Sequence, residues 1–411
     1  MGYISLGKLY YSDHENYSAE YARRFSSPET IKLDFEIHGN QAFFVQTTEV
    51  TSRIFQILKA DKRISVLSKE LPGIAIGHFT KRCLIDEIFL TNKIEGVYST
   101  RREIAVVLEE LNNPEKSGAK RRRFYGLVAK YEKLIEKEIV PLDTCEDIRA
   151  LYDEIVLPEV AAEDPSNIPD GNIFRKDSAS IKTATDKEIH RGVYPESAIV
   201  QEMKRALACL NDSEIEVLYR IVYFHYLLEY IHPFYDGNGR LGRFIVSYLL
   251  AQELDPLLAY RISFTITENI SEYYSAFRVC NDTKNLGDIT PFIIMMLEMV
   301  CKSIIQLETA LENRKTRLDK YSGLIPVLPG GTSNRTRLAY YGLIQAGLFA
   351  EDGVSTREFK KFLETSYTTA KAELDLIDKE GFLKKKRVGR ENYYMLDLEK
   401  LDALLLEQAE N

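Results

Sequence analysis

The stretch IHPFYDGNGRLGRF, residues 231–244, places one histidine, one carboxylate, a Gly-Asn-Gly and two arginines within a dozen positions. Upstream of it, EIEVLYRIVYFHYLLEYI at 214–231 is apolar or aromatic on nearly every face. That pattern belongs to a helix buried at the centre of a bundle. The helix must end at His232, because Pro233 disfavours helical geometry in the residue before it. Asp236 and Gly237-Asn238-Gly239 then tolerate the turn and left-handed conformations that point successive backbone N–H groups into one hollow. Leu241, Phe244, Ile245, Tyr248 and Leu249 recur at helical spacing, so a second helix starts near Arg240. Buried helix, glycine loop, helix N-terminus: this order predicts an anion site, because unpaired N–H groups and the positive dipole end converge there.

The side chains on this frame narrow the chemistry. Arg240 and Arg243 oppose the dipole and make poor helix stabilisers, but they suit a clamp on a multiply charged anion such as a triphosphate. Asp236 beside that anion needs a cation between them, and Mg²⁺ shared by carboxylate and phosphate oxygens is the natural one. His232 is the group whose ordinary pKa suits proton abstraction near neutrality. The set reads as nucleotidyl or phosphoryl transfer. Singly, a histidine ending a helix or a Gly-Asn-Gly turn is usually structural; jointly, the fixed positions recur by chance at roughly one in 10¹⁰ start sites.

HPFYDGNGRLGR resembles the Fic-domain signature, H-P-F-x-D/E-G-N-G-R-x-x-R, at every defining position. The resemblance implies a helical core with a β-hairpin flap, and transfer of AMP from ATP to a Ser, Thr or Tyr hydroxyl of a target protein with Mg²⁺. It implies His232 as general base and Asp236 as metal ligand. Gly237, Asn238 and Gly239 would form the nest, with Arg240 on the phosphates and Arg243 on the γ-phosphate. Downstream, EYYSAFRVCN resembles the family's adenine-contacting segment, which puts Tyr274 against the ring and Asn281 at its polar edge. The flap, about 174–195, would align the target segment by strand pairing. TNKIEG at 91–96 resembles the family's inhibitory motif, S/T-x-x-x-E-G/N, through Thr91, Glu95 and Gly96. The implied contact is Glu95 on Arg243, occupying the partner of the γ-phosphate. Removal of AMP by the same site, alone or beside transfer, is an alternative, and so is a nucleotide-sensing DNA-binding regulator. Self-modification and a homodimer are also compatible with the resemblance.

Working outward, helical spacing covers Thr48 to about Leu71, Lys81–Ile94, a helix capped by Thr100 and Glu103, residues 121–139 and 145–156, and most of 196–311. Residues 165–195 break the rhythm with Gly, Pro and Asp around two strand-like pieces, SASIKTA and EIHRGVY. From Asn334, three helices (LAYYGLIQAGLF, 355–364, 367–381) precede strand, turn and strand in FLKKKRVGRENYYML, the pattern of a winged helix-turn-helix, after a linker at 321–334. The fold class expected is mainly α: a Fic-type helical bundle with a flap and a C-terminal winged module. The domains expected are 1–118 with the inhibitory helix at 81–96, 119–315 as the core, and 334–411.

Lys384, Lys385, Lys386, Arg387 and Arg390 surround the expected wing, yet its helix 367–381 carries four acids against two lysines, so protein docking is favoured over DNA. A net charge of −8 over 411 residues also argues against a nucleic-acid coat. Five scattered cysteines in no C-x-x-C pair fit reduced thiols rather than a disulfide framework or zinc site. The N-terminus lacks a secretory signal pattern, and the longest apolar run, at 291–297, is too short to span a bilayer. A cytoplasmic protein without a membrane role is therefore expected.

Overall fold

The protein is seen in a computed structural model that describes residues 2–111, 122–182, 188–388 and 391–410. It is mainly helical and divides into two compact units, Met1–Asp61 with Leu84–Ile305, and Lys62–Cys83 with Gln306–Asn411.

The first unit opens with α1 (Leu6–Ser12), α2 (His14–Phe25) and an antiparallel hairpin, β1 (Thr30–Ile37) with β2 (Asn40–Val45). The sequence reading placed no strands here. The signal was nonetheless present: Leu33, Phe35 and Ile37 are buried and alternate with Asp34 and Glu36. His38 and Gly39 both take positive φ, 50° and 75°, as a tight hairpin turn requires.

Next come α3 (Thr48–Glu70) and α4 (Gly73–Ile94), parted by the Leu71-Pro72 break. The expected start of α4 at Lys81 is corrected to Gly73, because GIAIGHF continues the helix without interruption. α5 (Arg101–Leu111) starts where Thr100 Oγ1 accepts the Glu103 N–H at 3.1 Å. The single helix expected over 121–139 is instead α6 (Tyr125–Glu132) plus a 3₁₀ turn at Lys133–Glu136. Phe124 and Lys137 bracket this segment with left-handed backbone, φ 62° and 54°, and so bound it. α7 (Cys145–Ile155) carries a full capping box between Thr144 and Asp147, and α8 (Leu157–Glu163) follows. In the expected flap, β3 (Ser180–Lys182) pairs antiparallel with β4 (Glu188–Arg191); the tip between them lies outside the described residues.

α9 (Glu196–Leu210), α10 (Val217–Ile231) and α11 (Asn238–Glu253) form the centre. From Ile221 to Ile231 every residue of α10 is buried, as its all-round apolar sequence predicted. α12 (Ile262–Glu268), α13 (Ile270–Cys280) and α14 (Thr290–Leu324) complete the sequence of elements. Although the apolar run at 291–297 is short, the helical segment Thr290–Val327 is long and apolar enough to cross a membrane; 61% of its apolar window is buried inside the protein, as in a core helix. α14 also takes up the first residues of the expected linker.

The second unit holds α15 (Asn334–Phe349), β5 (Val354–Ser355), α16 (Thr356–Phe362), α17 (Tyr367–Lys379), β6 (Leu383–Val388), β7 (Glu391–Leu396) and α18 (Leu398–Glu410). Its antiparallel sheet runs β5-β7-β6, and Ser355 with Glu358 forms a capping box that starts α16. Three of the four basic residues of this strand pair locally: Lys384 with Asp397 and Glu399, Lys385 with Asp378, and Lys386 with Asp352. Arg390 lies outside the described residues.

Candidate active site

His232 closes α10 in the left-handed region, at φ 52° and ψ 63°, where the following proline forbids another helical residue. Its backbone is fixed by Arg175, a fully buried arginine that sequence reasoning passed over. The Arg175 Nε donates to the His232 carbonyl at 2.9 Å, one terminal nitrogen to Val193 O at 2.8 Å, and the other to Asp177 O. One guanidinium thus ties the histidine to both sides of the flap. His232 Nδ1 lies 3.9 Å from Glu229 Oε2. Burial, reinforced by His190 and Arg175, pushes the imidazole down to about 3, so it is uncharged at neutral pH. Burial also pushes the Glu229 carboxyl up to about 8, with the Glu95 charge adding to the rise. The contact between them is therefore one of two neutral groups rather than an ion pair.

The loop that follows is held by its own side chains. Phe234 stacks on Tyr152 with centroids 3.6 Å apart, and the Tyr152 hydroxyl donates to Asp236 O at 3.1 Å. Asn238 spans the loop, its Oδ1 accepting from Phe234 N at 3.0 Å and its Nδ2 donating to Phe234 O at 2.9 Å. Asn238 therefore shapes the nest through its side chain and offers only its backbone to a ligand. Gly237 has φ 81°, and a Cβ there would meet Val156 Cγ1 at 2.2 Å; a Cβ on Gly239 would meet Glu95 Oε1 at 2.2 Å. Gly237 is strained for any other residue, and a side chain at Gly239 would displace the Glu95 carboxylate.

Two arginines face this loop in different states. Arg240 is 1% exposed, yet its Nε and one terminal nitrogen have no hydrogen-bond partner among the described residues. Its nearest charge is Asp236 Oδ2 at 3.6 Å. A buried guanidinium with unused donors is costly unless an anion completes it. Arg243, equally buried, has its partners in place: Nε donates to Thr91 Oγ1 at 2.8 Å, and one terminal nitrogen donates to Thr91 O at 3.1 Å and Glu95 Oε1 at 2.8 Å. Thr91 and Glu95 are one helical turn apart at the end of α4 and so share a face. Gly96 stops α4 with φ 73°, and Val97 N bonds back to Asn92 O at 2.9 Å, a Schellman closure. Glu87, two turns earlier and fully buried, receives the Ser263 N–H on both oxygens at 3.0 and 2.9 Å.

The structure thus brings His232, Asp236, the Gly237–Gly239 loop, Arg240, Arg243 and Glu95 together. Tyr274 is half exposed, its hydroxyl 3.5 Å from Ile94 O beside the Glu95 turn. Asn281 is engaged elsewhere: its Oδ1 accepts from the Tyr226 hydroxyl at 2.6 Å, and its carbonyl lies 3.0 Å from His38 Nε2. No cluster of three or more His, Cys, Asp or Glu suited to a metal occurs among the described residues. Asp236, about a third exposed, presents one carboxylate beside the nest.

The Fic/DOC family model matches residues 142–250, which include the whole loop and both arginines. Residues 142–250 form a Fic domain. The Fic domain is similar to curated proteins: 31% identical over 98 residues to protein adenylyltransferase fic-1 of Caenorhabditis elegans, and 38% over 68 residues to a probable protein adenylyltransferase of Aquifex aeolicus. These matches cover 23% and 16% of this chain and 18% and 19% of the relatives, so the chain spans about a fifth of their length. A Fic family protein from Desulfovibrio desulfuricans shares the fold, with a TM-score of 0.53 and 19% identity over 85% of this chain and 96% of its own. Thr91, Glu95, Tyr274 and Asn281 all fall outside the segment matched as the Fic domain.

Proposed function

We propose that the protein transfers AMP from ATP to a hydroxyl side chain of a target protein, and that Glu95 holds this activity in check. The observation that carries the reading is the contrast between the two buried arginines. Arg240 has donors waiting for an anion at the glycine nest, while Arg243 has its place filled by Glu95. The names of the curated relatives agree with adenylyl transfer.

In the reaction, the backbone N–H groups of Gly237–Gly239 and the Arg240 guanidinium bind the triphosphate and fix its α-phosphorus. Uncharged His232 accepts the proton of the incoming hydroxyl on Nε2, the ring nitrogen opposite Nδ1. The hydroxyl oxygen bonds to the α-phosphorus, the bond to the β-bridging oxygen breaks, and pyrophosphate leaves. Mg²⁺, when bound by Asp236 together with phosphate oxygens, would neutralise charge on the phosphates. Strands β3 and β4 offer backbone pairing to an extended target segment, which demands little of its sequence. With Glu95 on Arg243, a γ-phosphate meets a carboxylate in place of a cation, and the α-phosphate loses its alignment. For the second unit we infer a winged-helix module, from the element order and its antiparallel sheet, used for protein docking.

Incubating Glu95→Gly with ATP labelled at the α- or the γ-phosphate, in a cell lysate, separates the chemistries. Label from the α-position should enter protein above the level given by Glu95→Gly/His232→Ala, with no such excess from the γ-position. An excess of γ-label over that double variant would assign phosphoryl transfer instead.

A further inference from the structure

The second unit contains a cavity of about 270 Å³ whose lining includes Ile74, His78, Gln345, Val354, Phe359 and Phe362. Its walls are mainly apolar and aromatic, with Gln345, His78, Glu358 and Lys361 as the polar members. Gln345 lies in the middle of α15, is 1% exposed, and neither its Oε1 nor its Nε2 has a hydrogen-bond partner among the described residues. Leaving both atoms of a primary amide buried and unpaired is unfavourable. A leucine at this position would carry no such cost. The amide is thus out of place in a packed core and in place on the wall of a binding site.

We propose that this cavity binds a small, flat molecule whose edge carries a hydrogen-bond donor beside an acceptor, as in a carboxamide, a lactam or a nucleobase. Gln345 would read that edge with both of its amide atoms at once, and Phe359 and Phe362 would pack against the ring. The Glu358 carboxylate is taken up by Ser355 N and Oγ, both at 2.8 Å, and burial lowers the pKa of His78, which favours its uncharged form. The volume suits one ring system with a short substituent. Gly342 contributes to the shape: a Cβ there would meet the Phe362 ring at 2.3 Å and push it into the cavity. Ile74 and His78 belong to the first turns of α4, the helix whose last turn carries Thr91 and which Glu95 directly follows. An occupant would therefore touch the element that bears the inhibitory glutamate.

The test is ligand-observed saturation-transfer NMR on the full chain, with benzamide, uracil and toluene as probes. Benzamide or uracil should bind wild type in the millimolar range, and Gln345→Leu should weaken that binding at least tenfold while retaining the helical circular dichroism of the wild type. Toluene should bind Gln345→Leu better than wild type. Gly342→Ala gives a second route, since it narrows the cavity without touching the amide and should also reduce binding. Amide binding that survives Gln345→Leu, toluene binding wild type as well as the amides do, or no binding by any probe would each overturn the proposal.

Discussion

Glu95 and Arg243 sit 2.8 Å apart, with the arginine 1% exposed, so removal of the glutamate leaves a buried cation short of one partner. Thr91 still holds two of its donors, which limits the damage. Glu95→Gly should therefore lower stability by about 1–3 kcal/mol, with ATP and Mg²⁺ raising the melting temperature more in the variant than in wild type. Differential scanning fluorimetry reads both effects, and equal ATP shifts in the two proteins would contradict the competition. Glu229 provides a pH test. Its carboxyl stands at about 8 in the folded protein against 4.5 ordinarily, so the folded state binds the extra proton between those values. Its contribution to stability is lost as pH rises from about 4.5 through about 8. Glu229→Gln should thus gain on wild type across that window, by on the order of a few kcal/mol at pH 8, in urea titrations. A difference that does not change with pH would contradict the buried, protonated state. His232, Arg240, Arg243 and Glu95 were legible because each stands at a fixed interval in a short motif. Arg175 and Glu229 were not: a lone arginine in a loop and a glutamate on an apolar helix become meaningful only once folding sets them beside His232.

At the scale of elements, the site depends on three helix ends and one hairpin. α10 supplies its C-terminus, α11 its N-terminus, and α4 its last turn, pinned by Glu87 as well as by Thr91. Arg175 ties β4's end of the flap to the α10 terminus through Val193 and His232. Arg175→Lys keeps the charge but loses the fork, so it should lower kcat for AMP transfer at least tenfold with little change in the KM for ATP. A matching rise in KM would show instead that the nest had collapsed. The helix–loop–helix around the motif followed from local rules, proline before a stop and glycines at a loop. The β1–β2 hairpin and the split of α6 did not, because the alternation in TIKLDFEI was overlooked and the left-handed turns at Phe124 and Lys137 carry no glycine to announce them.

For the whole molecule, composition and periodicity had already marked a mainly helical chain with a distinct C-terminal segment. They could not show that residues 62–83 group with that segment, since the grouping comes from packing across more than two hundred residues of sequence. Nor could they show that the basic strand is largely spent on its neighbours. Lys384, Lys385 and Lys386 each pair with an acid of the same unit, which offsets part of the field a nucleic-acid backbone would require. Duplex DNA should accordingly show no salt-dependent binding in fluorescence anisotropy at 50–200 mM salt, whereas a steep salt slope would restore the groove-reading alternative.

The central claim is adenylyl transfer restrained by Glu95, and intact mass of the purified protein after incubation with ATP and Mg²⁺ tests it most directly. Wild type, Glu95→Gly and Glu95→Gly/His232→Ala would be compared side by side. The account predicts one or more added AMP masses in Glu95→Gly alone. Equal adducts in wild type and Glu95→Gly, or an adduct that persists without His232, would contradict it.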